Sequence, residues 1–173
     1  TNYSGDDNIT FSVIDDNGQI SEEDGIISIT INQVNDSPIL ATISNISFDE
    51  DTSDSISLSA SDVDEDDLIF SISGGNDITA TLDGSNVSFS APINYNGSET
   101  FTVTAADSEL TNSQAFTVTI IPINDYPVLT FIGDQNIDED SSLNFLLSAS
   151  DVDGDYLEYT VSSGLNITST LID

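Results

Sequence analysis

Apolar and polar residues alternate along most of the chain. Ile27, Ile29 and Ile31 are separated by Ser28 and Thr30, and the same period of two runs through Phe101-Thr102-Val103-Thr104 and Phe116-Thr117-Val118-Thr119. Successive side chains on a strand point to opposite faces, so this period marks strands with one buried and one solvated side. No segment holds a helical period over ten residues. The runs predict strands near 26–32, 39–48, 55–60, 67–73, 78–82, 86–90, 100–106 and 115–122, filled with β-branched and aromatic residues. Asp83-Gly84 predicts a tight hairpin turn, Asn94-Tyr95-Asn96-Gly97 a loop, and Asp16-Asn17-Gly18 and residues 108–113 further hairpin loops. The seven strands between 39 and 122 fit an all-β, two-sheet sandwich. Its expected core is Leu58, Leu68, Phe70, Ile72, Phe89, Phe101, Val103, Phe116 and Val118.

The pattern repeats. Val34-Asn35-Asp36-Ser37-Pro38-Ile39-Leu40 returns 89 residues later as Ile123-Asn124-Asp125-Tyr126-Pro127-Val128-Leu129. At the same spacing Ser59-Ala60-Ser61-Asp62-Val63-Asp64 returns unchanged as Ser148-Ala149-Ser150-Asp151-Val152-Asp153. A fixed period without insertions is the mark of a tandem array. The expected organisation is the C-terminal half of one repeat (1–35), a complete repeat (36–125) and the N-terminal half of the next (126–173), with Asn-Asp-x-Pro as the joint. Two readings of the half-repeats stay open. The chain is a window on a longer array, or the tail of one molecule completes the head of the next by strand exchange. Tyr3 and Tyr95 occupy matching positions, and each is expected to plug an end of its sandwich.

Composition narrows the chemistry. The chain carries 32 Asp and Glu and no Lys, Arg or His, for a formal charge of -32. Such a chain repels nucleic acid and anionic membranes. Acidity of this degree often accompanies disorder, but 37% hydrophobic residues in strand-like alternation point to a folded protein. Without His, Cys or Lys there is no imidazole base, thiol nucleophile or Schiff base. Zinc and copper sites built on nitrogen or sulfur are excluded, which leaves hard oxygen ligands. No apolar run approaches the length of a membrane-spanning helix, so membrane insertion is not expected.

The acids cluster in loops: Asp49-Glu50-Asp51, Asp62 to Asp67, Asp107, Asp138-Glu139-Asp140, and Asp151-Val152-Asp153-Gly154-Asp155. Asp is also an ordinary turn former, and any acidic protein shows Asp-rich loops. Repetition in register beside Asn-Asp-x-Pro favours metal binding. Ca²⁺ takes six to eight oxygens, more than one short loop supplies, so loops of adjoining units must converge. An EF-hand is excluded, because Tyr156 and Ser162 stand where that motif, counted from Asp151, needs Gly and Glu.

Taken in order, Asp-Glu-Asp, Ala60-Ser61-Asp62-Val63-Asp64, Asn94-Tyr95-Asn96-Gly97, Thr104-Ala105-Ala106-Asp107 and Asn124-Asp125-Tyr126-Pro127 resemble the cadherin-like, bacterial Ig-like tandem repeats of large bacterial surface proteins and adhesins. The resemblance spans essentially the whole chain. It implies tandem Greek-key β-sandwich repeats with Ca²⁺ at the joints. The joint at 124–125 would then use Glu50, the carbonyl of Asn124, Asp125, Asp151 and Asp153. The joint at 35–36 would use Asn35, Asp36, Asp62, Asp64 and Asp107, and Glu139 stands one repeat on from Glu50. Two departures from the animal pattern reduce ligand charge: Gln33 and Pro122 precede the joints where an acid is usual, and Asn94-Tyr95-Asn96 replaces an acidic loop. Fewer or weaker ions per joint are therefore expected.

The implied function is an extracellular, cell-surface module that acts as spacer and adhesive element, or as a filament subunit. Its expected partners are neighbouring repeats, copies of itself bound homophilically or side by side, and glycans or cell-surface receptors. No catalytic residue is expected, since acids that recur with the repeat at joints do not form the single carboxylate pair of a glycosidase. A carbohydrate-binding sandwich and a calcium-independent filament held by strand complementation remain alternatives.

Overall fold

A computed structural model describes residues 2–172, and everything below refers to them. Nine strands lie between residues 39 and 121: β3 (Ile39–Leu40), β4 (Ile46–Asp49), β5 (Ser53–Ser57), β6 (Ala60–Ser61), β7 (Ile69–Gly74), β8 (Thr79–Asp83), β9 (Asn86–Ser90), β10 (Gly97–Ala106) and β11 (Thr111–Ile121). A hairpin, β1 (Gly5–Phe11) and β2 (Gly25–Ile31), precedes them, and a short pair, β12 (Val128–Leu129) and β13 (Ala149–Ser150), follows. No helix is long and apolar enough to cross a membrane.

Two sheets face each other. One runs in the order β4-β11-β10-β7 and the other in the order β5-β9-β8, with β3 and β6 paired beside them. The strands pair antiparallel except β4, which joins β11 in parallel. The period of two sends Phe101, Val103, Ala105, Phe116, Val118 and Ile120 inward from one sheet and Val87 and Phe89 from the other, all buried. Phe89 meets Phe101 edge-on with centroids 5.4 Å apart, and Phe116 closes the cluster at 6.0 Å from Phe89. Such edge-to-face contacts add to the area the rings bury. Leu58 and Ile78 complete the buried set, and Phe70, Ile72 and Tyr95 pack against it half-buried. Leu68, expected in the core, is only half-buried at the start of the strand.

The segment expected as one strand over 39–48 is two. β3 pairs with β6, and the chain then crosses to the other sheet, where β4 pairs with β11. Gln114 makes the crossing possible. It sits at an inward-facing position of β11, where its Oε1 accepts from the Ile43 N–H at 3.1 Å and its Nε2 donates to the Ile43 carbonyl at 2.8 Å. These two bonds satisfy a backbone unit that neither sheet pairs. The expected strand 55–60 likewise divides into β5 and β6. The tight turn at Asp83-Gly84 lies one residue later: Asp83 pairs with Asn86, and Gly84-Ser85 make the turn, with Gly84 at φ 60°. Gly74 and Gly75 have φ of 108° and 77°, conformations a side chain resists, and carry the chain out of β7 toward the opposite sheet.

The flanking pieces copy parts of this sandwich. Gly5 pairs with Ile31 and Ile9 with Ile27, as Gly97 pairs with Ile120 and Phe101 with Phe116. The hairpin lacks the opposing sheet, however, and Ile29 is 38% exposed where its counterpart Val118 is 0% exposed. Val128 pairs with Ser150 as Ile39 pairs with Ser61, and the Thr130 N–H reaches the Ser148 carbonyl at 2.8 Å as Ala41 reaches Ser59 at 2.8 Å.

Candidate metal centre

β4 delivers Glu50 to the end of the sandwich. The Glu50 N–H donates to the Ile121 carbonyl at 2.9 Å, and its side chain is 5% exposed. Its Oε1 accepts from the Ile123 N–H at 2.6 Å, which holds the strand leading into the joint. The loop after β13 comes up from the other side. Asp151 Oδ1 accepts from the Asp153 N–H at 3.0 Å, an Asx turn, and Asp153 Oδ2 accepts from the Asp125 N–H at 2.7 Å. These bonds bring one carboxylate oxygen from each of Glu50, Asp125 and Asp153 within 4.8 Å of the others.

A second group lies at the opposite end. One oxygen each from Asp62, Asp64 and Asp66 lies within 4.8 Å of the others. Asp62 Oδ1 accepts from the Asp64 N–H at 2.8 Å, and Asp64 Oδ2 accepts from the Asp36 N–H at 2.7 Å.

Both groups are electrostatically unfavourable as bare anions. Burial, then Asp153, Asp51, Glu50 and Asp151, raises the pKa of Asp125. Burial, then Asp62, Asp107, Asp64 and Asp67, raises that of Asp66. Asp125 Oδ2 and Asp62 Oδ2 are shielded from solvent and accept no hydrogen bond. Buried carboxylate oxygens are normally satisfied, and this chain has no Lys, Arg or His to do it. Two oxygens on one Ca²⁺, each at about 2.3–2.6 Å, stand at most about 5 Å apart, so oxygens within 4.8 Å of one another are close enough to share an ion. The donor set fits a hard divalent cation.

Of the expected ligands, Glu50, Asp125 and Asp153 converge, as do Asp62 and Asp64. Asp151 and Asp36 are bonded to those groups. Asp107 lies beside the second group, but both its oxygens are engaged by the chain: its Oδ1 accepts from the Glu109 and Leu110 N–H groups, both at 2.6 Å, and its Oδ2 from Asn35 Nδ2 at 3.1 Å. The amide bonds, that of Leu110 first, hold the Asp107 carboxyl below its usual range. It caps the β10–β11 loop and positions Asn35. Asn124 is exposed, with its side-chain amide on the Asp125 carbonyl at 2.9 Å, and Glu139 is exposed apart from both groups. Asp66 was not among the expected ligands, although alternation from Asp62 through Asp64 carries on to it. Asp51, also missed as a participant, acts on Asp125.

The chain between residues 39 and 121 is thus an immunoglobulin-type β-sandwich with a group of carboxylates at each end. Residues 35–120 match the family described as the bacterial Ig domain, and that stretch of the chain is a bacterial Ig domain. Among solved structures the chain is similar to human protocadherin-24 EC1-2, at 21% identity and a TM-score of 0.44 over 69% of this chain and 61% of that one. It is similar to surface layer protein SbsC, domains 4-9, at 13% identity and a TM-score of 0.42 over 87% of this chain and 24% of that one. It is also similar to the endo-fucoidan hydrolase MfFcnA4 of glycoside hydrolase family 107, at 18% identity and a TM-score of 0.39 over 69% of this chain and 19% of that one. No curated protein matches the chain in sequence.

Proposed function

We propose that the chain is a calcium-stiffened repeat module of a bacterial surface adhesin or filament, working outside the cell as a structural spacer and in adhesion. The observation that carries this reading is the group of Glu50, Asp125 and Asp153. It draws carboxylates from both sides of an Asn-Asp-x-Pro joint and leaves Asp125 Oδ2 shielded without a donor. Glu50, Asp125 and Asp153 would hold the ion directly, with Asp151 orienting Asp153. Bound Ca²⁺ supplies the positive charge that the chain lacks. Glu50 fixes the last turn of the sandwich, and Asp153 fixes the amide of Asp125, so a shared ion sets the angle between successive units. Pro127 restricts Asp125-Tyr126 further by forcing the preceding residue toward extended geometry. Function in this reading is reach and mechanical resistance, with neighbouring repeats as the first partners. No catalytic step is assigned.

The test is a thermal melt with a few millimolar CaCl₂ and with excess chelator, with solution scattering in parallel. Sites with dissociation constants of about 10⁻⁴–10⁻³ M add roughly 1–2 kcal/mol each at 5 mM calcium. A higher melting temperature and a longer, stiffer particle are expected. The same melt and the same profile in both conditions overturn the reading.

A second reading rests on the bare face of β1–β2, whose counterparts in β10 and β11 are buried. The front half of another unit is the natural cover, whether from a flanking repeat or a second copy. If a second copy is the cover, the chain should self-associate, which sedimentation at increasing concentration checks.

A further inference from the structure

The residue beside Glu50 adopts an unusual conformation. Asp51 has φ 59°, and Asp140, 89 residues on, has φ 58°. A non-glycine residue in the left-handed region carries strain, least for Asn and Asp. The return of that conformation one repeat later shows that the local sequence is built for it.

In that conformation Asp51 Oδ1 accepts from the Asn94 N–H at 2.9 Å, across 43 residues of sequence. Asn94 is itself left-handed, at φ 58°. It opens the Asn94-Tyr95-Asn96-Gly97 loop, and Tyr95 packs against the hydrophobic core. Beyond the ring lies Glu99, whose carboxylate accepts from the N–H groups of Asn76, Asp77 and Ile78 at 2.8, 3.0 and 3.1 Å. A continuous set of contacts thus runs from the joint to the body of the sandwich.

The other joint supplies an independent observation. Asn2-Tyr3-Ser4-Gly5 matches Asn94-Tyr95-Asn96-Gly97, and Asp36 matches Asp125. There Asn2 Nδ2 donates to Asp36 Oδ2 at 2.7 Å. The Asn-Tyr loop therefore reaches the joint carboxylates at both ends, by a side chain at one and through Asp51 at the other. The loop carries no charge of its own.

We propose that Asp51 is a positioning residue: it tethers the Asn94–Gly97 loop to the Glu50–Asp125–Asp153 group, so that cation binding at the joint and seating of Tyr95 in the sandwich end are coupled. The inference rests on the joint cation reading. The proximity of Asp51 to the group also appears as its contribution to the raised pKa of Asp125. The loop without acids is held by the carboxylate of Asp51, and the left-handed turn aims that side chain at the Asn94 amide from the position next to Glu50.

The test is residue-resolved amide hydrogen exchange on the whole chain, with chelator and with CaCl₂, for wild type, Asp51→Gly and Asp51→Asn. Glycine accepts the left-handed φ and removes the carboxylate, whereas asparagine keeps an acceptor and removes the charge. In chelator, the Asn94 amide of Asp51→Gly should exchange about tenfold faster than wild type, the scale of one lost hydrogen bond. Amides of Asn76 to Ile78 should stay protected, showing that the fold is intact. On calcium addition, the wild-type Asn94 amide should slow further. Both variants should need about tenfold more calcium for half-saturation, as for other outer-shell partners. Unchanged Asn94 exchange in Asp51→Gly overturns the tether. Calcium effects at Asp125 and Asp153 that stop short of Asn94 overturn the coupling alone. A wild-type chain with no calcium response at Asp125 or Asp153 overturns the joint reading and the coupling with it, while the chelator comparison still reports on the tether.

Discussion

The Asp125 amide donates to Asp153 Oδ2 at 2.7 Å, and 89 residues earlier the Asp36 amide donates to Asp64 Oδ2 at 2.7 Å. The same bond at two joints means that the Asp-x-Asp loop is docked on the Asn-Asp-x-Pro linker by the chain itself. The cation proposed for the joint would meet a partly organised site and lose less entropy in ordering it.

Asp153 accepts the Asp125 amide and, in the proposed joint, would also be a ligand; substitutions separate the two roles. Asp153→Asn keeps an acceptor for the Asp125 amide and removes one ligand charge. Asp153→Ala removes both. Calcium affinity by titration calorimetry should fall about tenfold or more for Asp153→Asn and further for Asp153→Ala. Equal affinities for all three proteins would remove Asp153 from the site.

Asp125 should show a reversal of sign. Its charge is unfavourable among Asp153, Asp51, Glu50 and Asp151, yet a cation needs it. In chelator at neutral pH, Asp125→Asn should melt above wild type. In millimolar calcium it should melt below. Calorimetric melts in the two buffers check this, and destabilisation in both would show that the carboxylate is held by something other than a cation.

The pH dependence without calcium has two opposed parts. Asp66 and Asp125 have raised folded pKa values. Their charges cost stability above those values, and the cost disappears as pH falls through them. Glu99, whose pKa is lowered chiefly by its bond from the Asp77 amide, and Asp107, lowered chiefly by Leu110, act the other way. They contribute stability above the unfolded values of 4.5 and 3.8, and it is lost as pH falls through the depressed folded values. The melting temperature in chelator should therefore rise as pH falls through the raised values of Asp66 and Asp125 and fall again as it passes the depressed values of Glu99 and Asp107. With calcium present the initial rise should vanish. A steady fall from pH 7 in chelator would contradict this assignment.

Glu99 should matter to the sandwich and not to the joint. Replacing it with Ala leaves the amides of Asn76, Asp77 and Ile78 without their acceptor. The expected loss is on the order of 2 kcal/mol, partly recovered by Gln. Chemical denaturation should show the same loss with and without calcium, and a loss confined to the calcium buffer would place Glu99 at the joint instead.

The 89-residue repetition, the strand-forming runs and the residues of the carboxylate loops were legible in the amino-acid order alone. These are local or periodic properties: alternation of Phe101 and Val103 with Thr, Asp placed at turns, and identical segments 89 residues apart. Which sheet each strand joins emerged from the folded chain. The run 39–48 is rich in strand formers and its apolar phase shifts between Ile43 and Ile46, but that β3 and β4 join different sheets depends on pairing with β6 or β11 and on the Gln114 clamp on Ile43, all contacts with distant residues. The carboxylates divide for the same reason. Asp62, Asp107 and Glu139 look alike as loop acids. Yet Asp62 has a buried, unpartnered oxygen, Asp107 is filled by backbone donors, and Glu139 faces solvent. Whether a loop acid keeps an oxygen free beside other carboxylates or spends both on donors of the chain is fixed by packing rather than by composition.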